Sequence, residues 1–546
     1  MRGRPVRDVA YMGNVLLGLD IGTSSVKAGV FTPDGRLLGL GRSGYVIRQP
    51  HPGWAECDPG EWWHGTRAAL RQACAAAGIE PGDVQAVGLS VLFPCVMLLD
   101  RRLRPLSPAL LYCDQRSAPQ AAAIAAVLPA TEFAARTGNV LTPGTSAVTS
   151  LAWLRDNCPG EYRAAAHVAW TNTWLLARLT GTVAVDPSMV ALSGLAEKQD
   201  PWHWSEPLCR RFGIAGDKLP PIRGAAEVAG TITVVAARAT GLRPGTPVVT
   251  GCGDVPAAAL GGGVTTSDTA LYVAGSTDCV CVPLARPARP GSWVNCAHIE
   301  AGRWLAIGTA TSSGVSVEWF CRTFLGHRRG SAARLDEMRR LAAAAPAGAN
   351  GVLFLPYLQG ERTPIWDADA TGAFTGITVR TTPADLARAV FEGTACSLRH
   401  ILADTRRVLG RTPGVLLATG GGTANGLWNQ IKADVLQRPL QILGFQETGV
   451  LGAALLAGVG SGLFTPSGAA GIAARRQTRH AVVPDAGKGG LYDRLFARYV
   501  ATYPAMRTVV AGLRQVPSSG NRRRGGRSKG SGVPRATGRG AARGRR

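Results

Sequence analysis

The sequence predicts an α/β protein in which one strand-rich unit occurs twice around a cleft. An apolar run, Val15–Leu19, passes straight into a polar turn, Asp20-Ile21-Gly22-Thr23-Ser24-Ser25, and then into a second strand, Val26–Phe31. The same order recurs past mid-chain, where Thr269–Ala274 ends in Gly275-Ser276-Thr277-Asp278. Length agrees with two units: the chain has 546 residues, and single cores stop growing at roughly 250–300 residues.

The remaining elements follow in order. Pro33-Asp34-Gly35 is a turn, and Arg36–Gly41 completes a meander. Val84–Ser90 and Val96–Leu99 are further strands, and Pro247–Thr250 is an apolar strand entering Gly251-Cys252-Gly253-Asp254. In the second cycle Val280–Val282 and Trp304–Ile307 stand beside Thr269–Ala274. Ala384–Leu409 has a long helical pattern with Leu386, Val390, Ala395 and Leu398 inward. Val415–Ala418 is a strand feeding Thr419-Gly420-Gly421-Gly422-Thr423, followed by a helix over Leu427–Gln437. The uncharged stretch Thr448–Ala474 is broken by glycines and Pro466. It reads as a buried small-residue helix followed by a loop, not as a membrane span.

Hydrophobic residues make up 46% of the chain, which excludes global disorder. The formal charge is +24, and residues 517–546 contribute ten Lys and Arg with no acid. That Gly/Ser/Arg-rich tail cannot bury enough surface to order itself, so it is expected to be disordered and solvated. Its charge leaves nucleic-acid binding open as a lesser role. Twelve scattered cysteines lack the density of a disulfide framework and fit a reduced, cytoplasmic protein. Cys279, Cys281, Cys296 and His298 could share faces of neighbouring strands, but one intervening residue between cysteines is a poor zinc spacing. No secretory signal is evident after Arg2, Arg4 and Arg7, and Met12 is an alternative start.

Several turns carry chemistry. Asp20 to Lys27 offers glycine, hydroxyls, backbone N–H groups and a cation, which suits a phosphate; Asp20 could hold Mg²⁺. Gly251-Cys252-Gly253-Asp254-Val255-Pro256 places a carboxylate where a strand becomes a helix. Asp254 is then either a helix cap or a general base for phosphoryl transfer. Gly275-Ser276-Thr277 and Gly420-Gly421-Gly422-Thr423 are two more glycine turns after strands. No Walker-type loop and no G-x-G-x-x-G opens the first βα unit, which disfavours the P-loop and dinucleotide folds.

Taken together, these motifs resemble the FGGY carbohydrate kinases, of the sugar-kinase/actin/heat-shock-chaperone ATPase superfamily. Asp20–Lys27 resembles that family's first phosphate loop, and His51-Pro52-Gly53-Trp54-Ala55-Glu56-Cys57-Asp58-Pro59 its H-P-G-W-x-E-x-D-P segment. Gly372-Ala373-Phe374-Thr375-Gly376-Ile377 with Asp385-Leu386 and Ala389-Val390-Phe391-Glu392 is similar to its C-terminal signature. Gly420-Gly421-Gly422-Thr423-Ala424-Asn425 with Trp428, Gln430, Ala433 and Asp434 is similar to its adenosine-binding segment. The resemblance implies two actin-like (ribonuclease H-like) domains flanking a central cleft. It divides the chain into an extension at 1–13, a sugar-binding domain at 14–262, a nucleotide-binding domain at 263–510 and the basic tail at 511–546.

By the same resemblance the protein is an ATP- and Mg²⁺-dependent sugar kinase, acting on a ketopentose such as D-xylulose. Asp254 is the catalytic base and also touches substrate, and Asp20 places Mg²⁺. Gly22, Thr23, Ser24, Lys27, Gly275, Ser276 and Thr277 bind phosphate, while Gly420, Gly421, Gly422 and Asn425 border the nucleoside. Phe93, Pro94, Tyr112, Asp114 and Arg116 are the candidate sugar-binding residues, with Asp114 and Arg116 either binding hydroxyls or bracing each other.

Departures bear on the substrate. Leu92-Phe93-Pro94-Cys95 stands where xylulokinases carry Gln-Met-His-Gly, and the Arg-Glu pair of glycerol kinases is missing there. Tyr112 replaces a Trp, and Ser150 a Lys. Alternatives are a kinase of another polyol or sugar acid (the gluconate, erythritol or glycerol class) and a non-catalytic ATP-dependent sensor. The partner expected is a small sugar, with no membrane, and a homodimer is left open.

Overall fold

The computed structural model describes residues 15–264, 266–326, 330–477 and 479–514. The expected N-terminal extension, Met12, and the basic run from 517 onward lie outside these residues. The last described helix, Gly489–Arg514, continues past the expected boundary at 510.

The first sheet is built from β1 (Val15–Ile21), β2 (Ser25–Phe31), β3 (Leu37–Gly44), β4 (Val84–Val91), β5 (Val228–Thr231) and β6 (Pro247–Val249), in the order β3-β2-β1-β4-β6-β5. The second contains β7 (Thr269–Ala274), β8 (Asp278–Leu284), β9 (Val294–Ala297), β10 (Trp304–Ala310), β11 (Val415–Thr419), β12 (Leu440–Leu443) and β13 (Arg479–Val482), in the order β9-β10-β8-β7-β11-β12-β13. In each sheet an antiparallel hairpin (β1/β2, β7/β8) stands beside a parallel partner (β4, β11). The duplication expected from the two glycine turns is therefore a duplication of topology. Val96–Leu99 forms as expected but belongs to a separate four-stranded sheet with Glu56–Cys57, Ala109–Leu110 and His167–Trp170.

Seven helices position the site: α1 (Pro59–Ala77), α2 (Asp254–Gly261), α3 (Ser313–Phe324), α4 (Pro383–Leu409), α5 (Gly426–Leu436), α6 (Thr448–Gly460) and α7 (Pro466–Arg476). The stretch after Thr448 thus differs from expectation: its second part is helix α7, not a loop. Pro466 sits in the first turn, where its missing N–H is harmless, and the Thr465 side chain caps that end.

All seven residues of β1 are buried, because helices cover both faces of the sheet. On one face α1 lies so close that a methyl group at Gly39 or Gly41 would run into the carbonyls of Ala73 and Ala69. The other face is covered by α6, which arrives from the far end of the sequence. A methyl at Gly18 or Gly88 would meet the carbonyl oxygens of Val450 and Ala453. Helices α2 and α6 also cross backbone to backbone: Gly452 faces the Ala257 carbonyl, and Gly261 faces that of Thr448. Leu16, Ala86, Ala257, Leu260, Val450 and Ala454 share the apolar cluster that results.

These contacts predict that Gly88→Ala and Gly452→Ala each destabilise by about 1–3 kcal/mol through overpacking. Gly216→Ala, where an added methyl meets nothing, should change stability by no more than roughly 0.5 kcal/mol. Thermal unfolding of the three variants checks this.

Candidate active site

Asp254 is the first residue of α2, reached from β6 through a short strand, Cys252–Gly253, that pairs with β4. The helix cap is Gly253, and Asp254 lies in the first turn. The cap reading of Asp254 is thereby corrected: the helix starts one residue too early for it, and the carboxylate, in the first turn, is within reach of the backbone N–H groups of Asp254 and Val255. Gly253 N–H donates to Ser188 Oγ at 3.0 Å, which fixes the backbone just before Asp254. Ser188 follows buried Asp186, whose carboxylate accepts from Ser188 N and Asn172 Nδ2.

Asp20 is the penultimate residue of β1, and its charge reaches Asp254. Its Oδ1 accepts from Ser90 Oγ at 2.7 Å, and its Oδ2 lies 4.0 Å from Lys27 Nζ. Lys27 also pairs with Glu447, the residue that opens α6, so one ammonium ties the first hairpin to the end of the chain. Burial raises the pKa of Asp20 despite the attraction of Lys27. Burial, and then the neighbouring Asp20 charge, push Asp254 up to about 7.

The turn after β1 closes with Gly22 N–H donating to Ser25 O, and it leaves Thr23 and Ser24 exposed. Its counterpart after β7 is held from outside: Gly314 and Val315 N–H, at the start of α3, donate to the carbonyls of Gly275 and Ser276. Gly275, Ser276, Gly421, Gly422, Asn425 and Trp428 line one cavity of about 560 Å³. The two glycine turns after β7 and β11, far apart in sequence, thus share a pocket. Gly420 has φ of +92°, and a side chain there would meet the Ala274 carbonyl. Asn425 caps α5 through Oδ1, while its buried Nδ2 has no protein partner and remains available to a ligand.

Of the candidate sugar-binding residues, Phe93 packs against Gly253 and Pro94 is buried. Tyr112 lies near Thr23 and feels the charges of Asp254 and Arg362. Asp114 and Arg116 do not fit that set. Asp114 accepts from Ala55 N, Arg116 N and Arg116 Nε. Arg116 also pairs with Glu56 at 2.7 Å and lies 3.8 Å over the Trp54 ring. With side chains only 1–2% exposed and their bonds already used, they brace each other and the insert sheet.

Four contributors were not anticipated: Ser90, Ser188, Glu447 and Arg362. Arg362 comes from the second half, and its guanidinium lies 5.9 Å from the Tyr112 ring centre. The run Gly360-Glu361-Arg362-Thr363-Pro364, a charged pair between turn formers, was the signal for it. All twelve cysteines are free, and no cluster of three metal-binding side chains occurs among the described residues, so Cys279, Cys281, Cys296 and His298 form no zinc site. A magnesium ion needs less, since it keeps waters and takes phosphate oxygens with one or two carboxylates; Asp20, free of any bidentate ion pair, fits that demand.

Comparison with known proteins agrees with this layout. The N-terminal domain of the FGGY family of carbohydrate kinases matches residues 15–261, and its C-terminal domain matches residues 270–461. A xylulose kinase of Staphylococcus epidermidis is 28% identical over 502 residues, covering 91% of this chain and 98% of the relative. The L-xylulose/3-keto-L-gulonate kinase of Escherichia coli is 31% identical over 504 residues, covering 88% and 95%. The crystal structure of xylulose kinase from Rhodospirillum rubrum superimposes with a TM-score of 0.81 at 30% identity, over 91% of this chain and 100% of that one.

Two outcomes are expected from this geometry. Because folding raises the Asp254 pKa from 3.8 to about 7, the ionised form costs stability; the cost grows between those pH values and is full above 7. Asp254→Asn should therefore raise the melting temperature of the ligand-free protein at pH 8, with the gain shrinking toward pH 4. Arg116→Ala should destabilise by about 3–5 kcal/mol, since it strands buried Asp114, and a mere sugar contact would leave the ligand-free melting point unchanged.

Proposed function

The chain belongs to the FGGY family of carbohydrate kinases, and on that premise we propose that its cleft transfers the γ-phosphoryl group of ATP to a hydroxyl of a ketopentose such as D-xylulose. The observation that carries this reading is Asp254: a buried carboxylate in the first turn of α2, where the first sheet ends, with its pKa raised toward neutrality. A base poised near the working pH accepts the hydroxyl proton as that oxygen attacks phosphorus in line.

Other groups have separate tasks. Exposed Thr23 and Ser24, and the Gly275–Thr277 turn, face the transferred phosphate from the two halves and offer N–H and O–H donors to its developing charge. Lys27 adds positive potential while holding Glu447 and Asp20. Asp20 would hold Mg²⁺, which supplies charge neutralisation across the phosphate oxygens when bound. Gly421, Gly422 and Asn425 border the nucleoside. Phe93 and Tyr112 wall the sugar, with Arg362 reaching over from the second half. The crossing of α2 and α6 is the natural pivot for closure, which excludes water as a rival acceptor. Twelve free cysteines support a reducing compartment, the cytoplasm, and no described helix is long and apolar enough to cross a membrane.

Coupled ADP release tests the substrate, with both xylulose enantiomers, a keto sugar acid, gluconate, erythritol and glycerol as acceptors. D-xylulose should respond most strongly; a larger response to the keto acid would move the assignment toward the activity named for the Escherichia coli relative. Asp254→Asn should lower kcat by roughly 10²–10⁴-fold while ATP still binds. Residual turnover within tenfold of the parent would remove Asp254 from the base role, and sugar-independent ATP hydrolysis without sugar phosphate would favour a sensor.

A further inference from the structure

A second cavity, of about 1030 Å³, lies apart from the pocket that gathers the glycine turns. Five cations line it, Lys198, Arg286, Arg289, Arg406 and Arg407, and no Asp or Glu does. We propose that this cavity binds a small polyanion carrying two or more phosphate groups, such as a polyphosphate or a nucleotide, at a site separate from the catalytic cleft.

The cations come from three unrelated segments: Lys198 from the first half, the loop 285–290 after β8, and the last turn of α4. The carboxylates nearby are already used. Glu197 pairs with Arg136 and accepts from Ser205 Oγ. Asp404 takes Arg407, Ser292 and Trp293 Nε1. Among the described residues, Lys198, Arg286, Arg289 and Arg406 have no ion pair or side-chain hydrogen bond. Charge near the C-terminal end of α4 explains Arg406 and Arg407 as complements of the helix dipole, but it does not explain the other three. Nor is overall basicity the reason, since the chain has 36 acidic residues for 60 basic ones and none of them lines this cavity.

The site is also preformed. Asp404 and Ser292 hold the Arg407 guanidinium. The 285–290 loop is pinned where Ala288 N–H donates to Asn295 Oδ1 at 2.7 Å. Asn295 is in turn locked to the first half: its N–H donates to Asn139 Oδ1, its carbonyl accepts from Asn139 Nδ2, and its own Nδ2 donates to Gly138 O. Lys198 N–H donates to Arg136 O in that same first-half segment. Guanidinium forks match phosphate oxygens in pairs, and several held in one concavity select for more than one phosphate. Leu284 and buried Trp304 give the wall an apolar part, as small-molecule sites usually have. The assignment does not depend on which reaction the cleft performs.

The test is calorimetric titration of the full chain with inorganic tripolyphosphate, with saturating ADP filling the glycine-turn cavity. Lys198→Ala/Arg286→Ala/Arg289→Ala should weaken binding by at least about tenfold. A control, Arg101→Ala/Arg102→Ala/Arg238→Ala, removes the same charge from exposed positions elsewhere and should leave affinity within about twofold. Both variants keep the basic tail, so binding there appears equally in each. Sugar-dependent ADP release in the absence of tripolyphosphate should match the parent in both, which shows that they fold. Equal affinity for parent and cavity variant, or equal weakening in the two variants, overturns the proposal.

Discussion

Helix α6 cannot be moved without moving the site. It touches β1 and β4 through Gly18 and Gly88 and crosses α2 through Gly261 and Gly452, at separations where no side chain fits. Contact of this kind leaves no room for displacement without a clash, because interiors are close-packed. Asp254 starts one of the crossing helices, and Glu447 precedes the other. Asp254 and the ion pair that reaches Asp20 are thereby fixed to the same joint.

Electrostatics builds on that placement. Lys27 pairs with Glu447 and lies near Asp20, while Asp254 has no ion pair of its own among the described residues. A carboxylate held above its usual range in the free protein is a costly feature for the fold and a useful one for proton transfer. The glycine turns after β1, β7 and β11 contribute few side-chain charges; what they offer is N–H groups, hydroxyls and small residues that leave the backbone approachable.

Much of the fold was legible because its strands are continuous apolar runs ending in glycine turns. Thr269–Ala274 was read to the residue, and the long α4 helix to within one. The loop expected after the Thr448 helix is instead a second helix from Pro466, because a proline that breaks a helix interior is favoured in a first turn. Asp254 as a candidate base was legible from its position after a strand, but its helical register was not. What sequence could not reveal depends on pairs distant along the chain. Lys27 and Glu447 are 420 positions apart, and Arg116 meets Glu56 across 60. An isolated W-x-D-x-R-like segment cannot say whether its charges face a sugar or each other; only the arrival of Glu56 and Trp54 decides it.

The reciprocal bonds between Asn139 and Asn295 have a consequence for the second sheet as an object in its own right. Strand β9 is its outermost member, so its outward N–H and C=O groups are an open template for another chain. The Asn139 amide imitates a neighbouring peptide, donating and accepting at one residue as a paired strand would. The first half thus terminates the β-ladder of the second with a single side chain. A second sheet cut free of the first half would carry that margin uncapped, open to pairing with another strand.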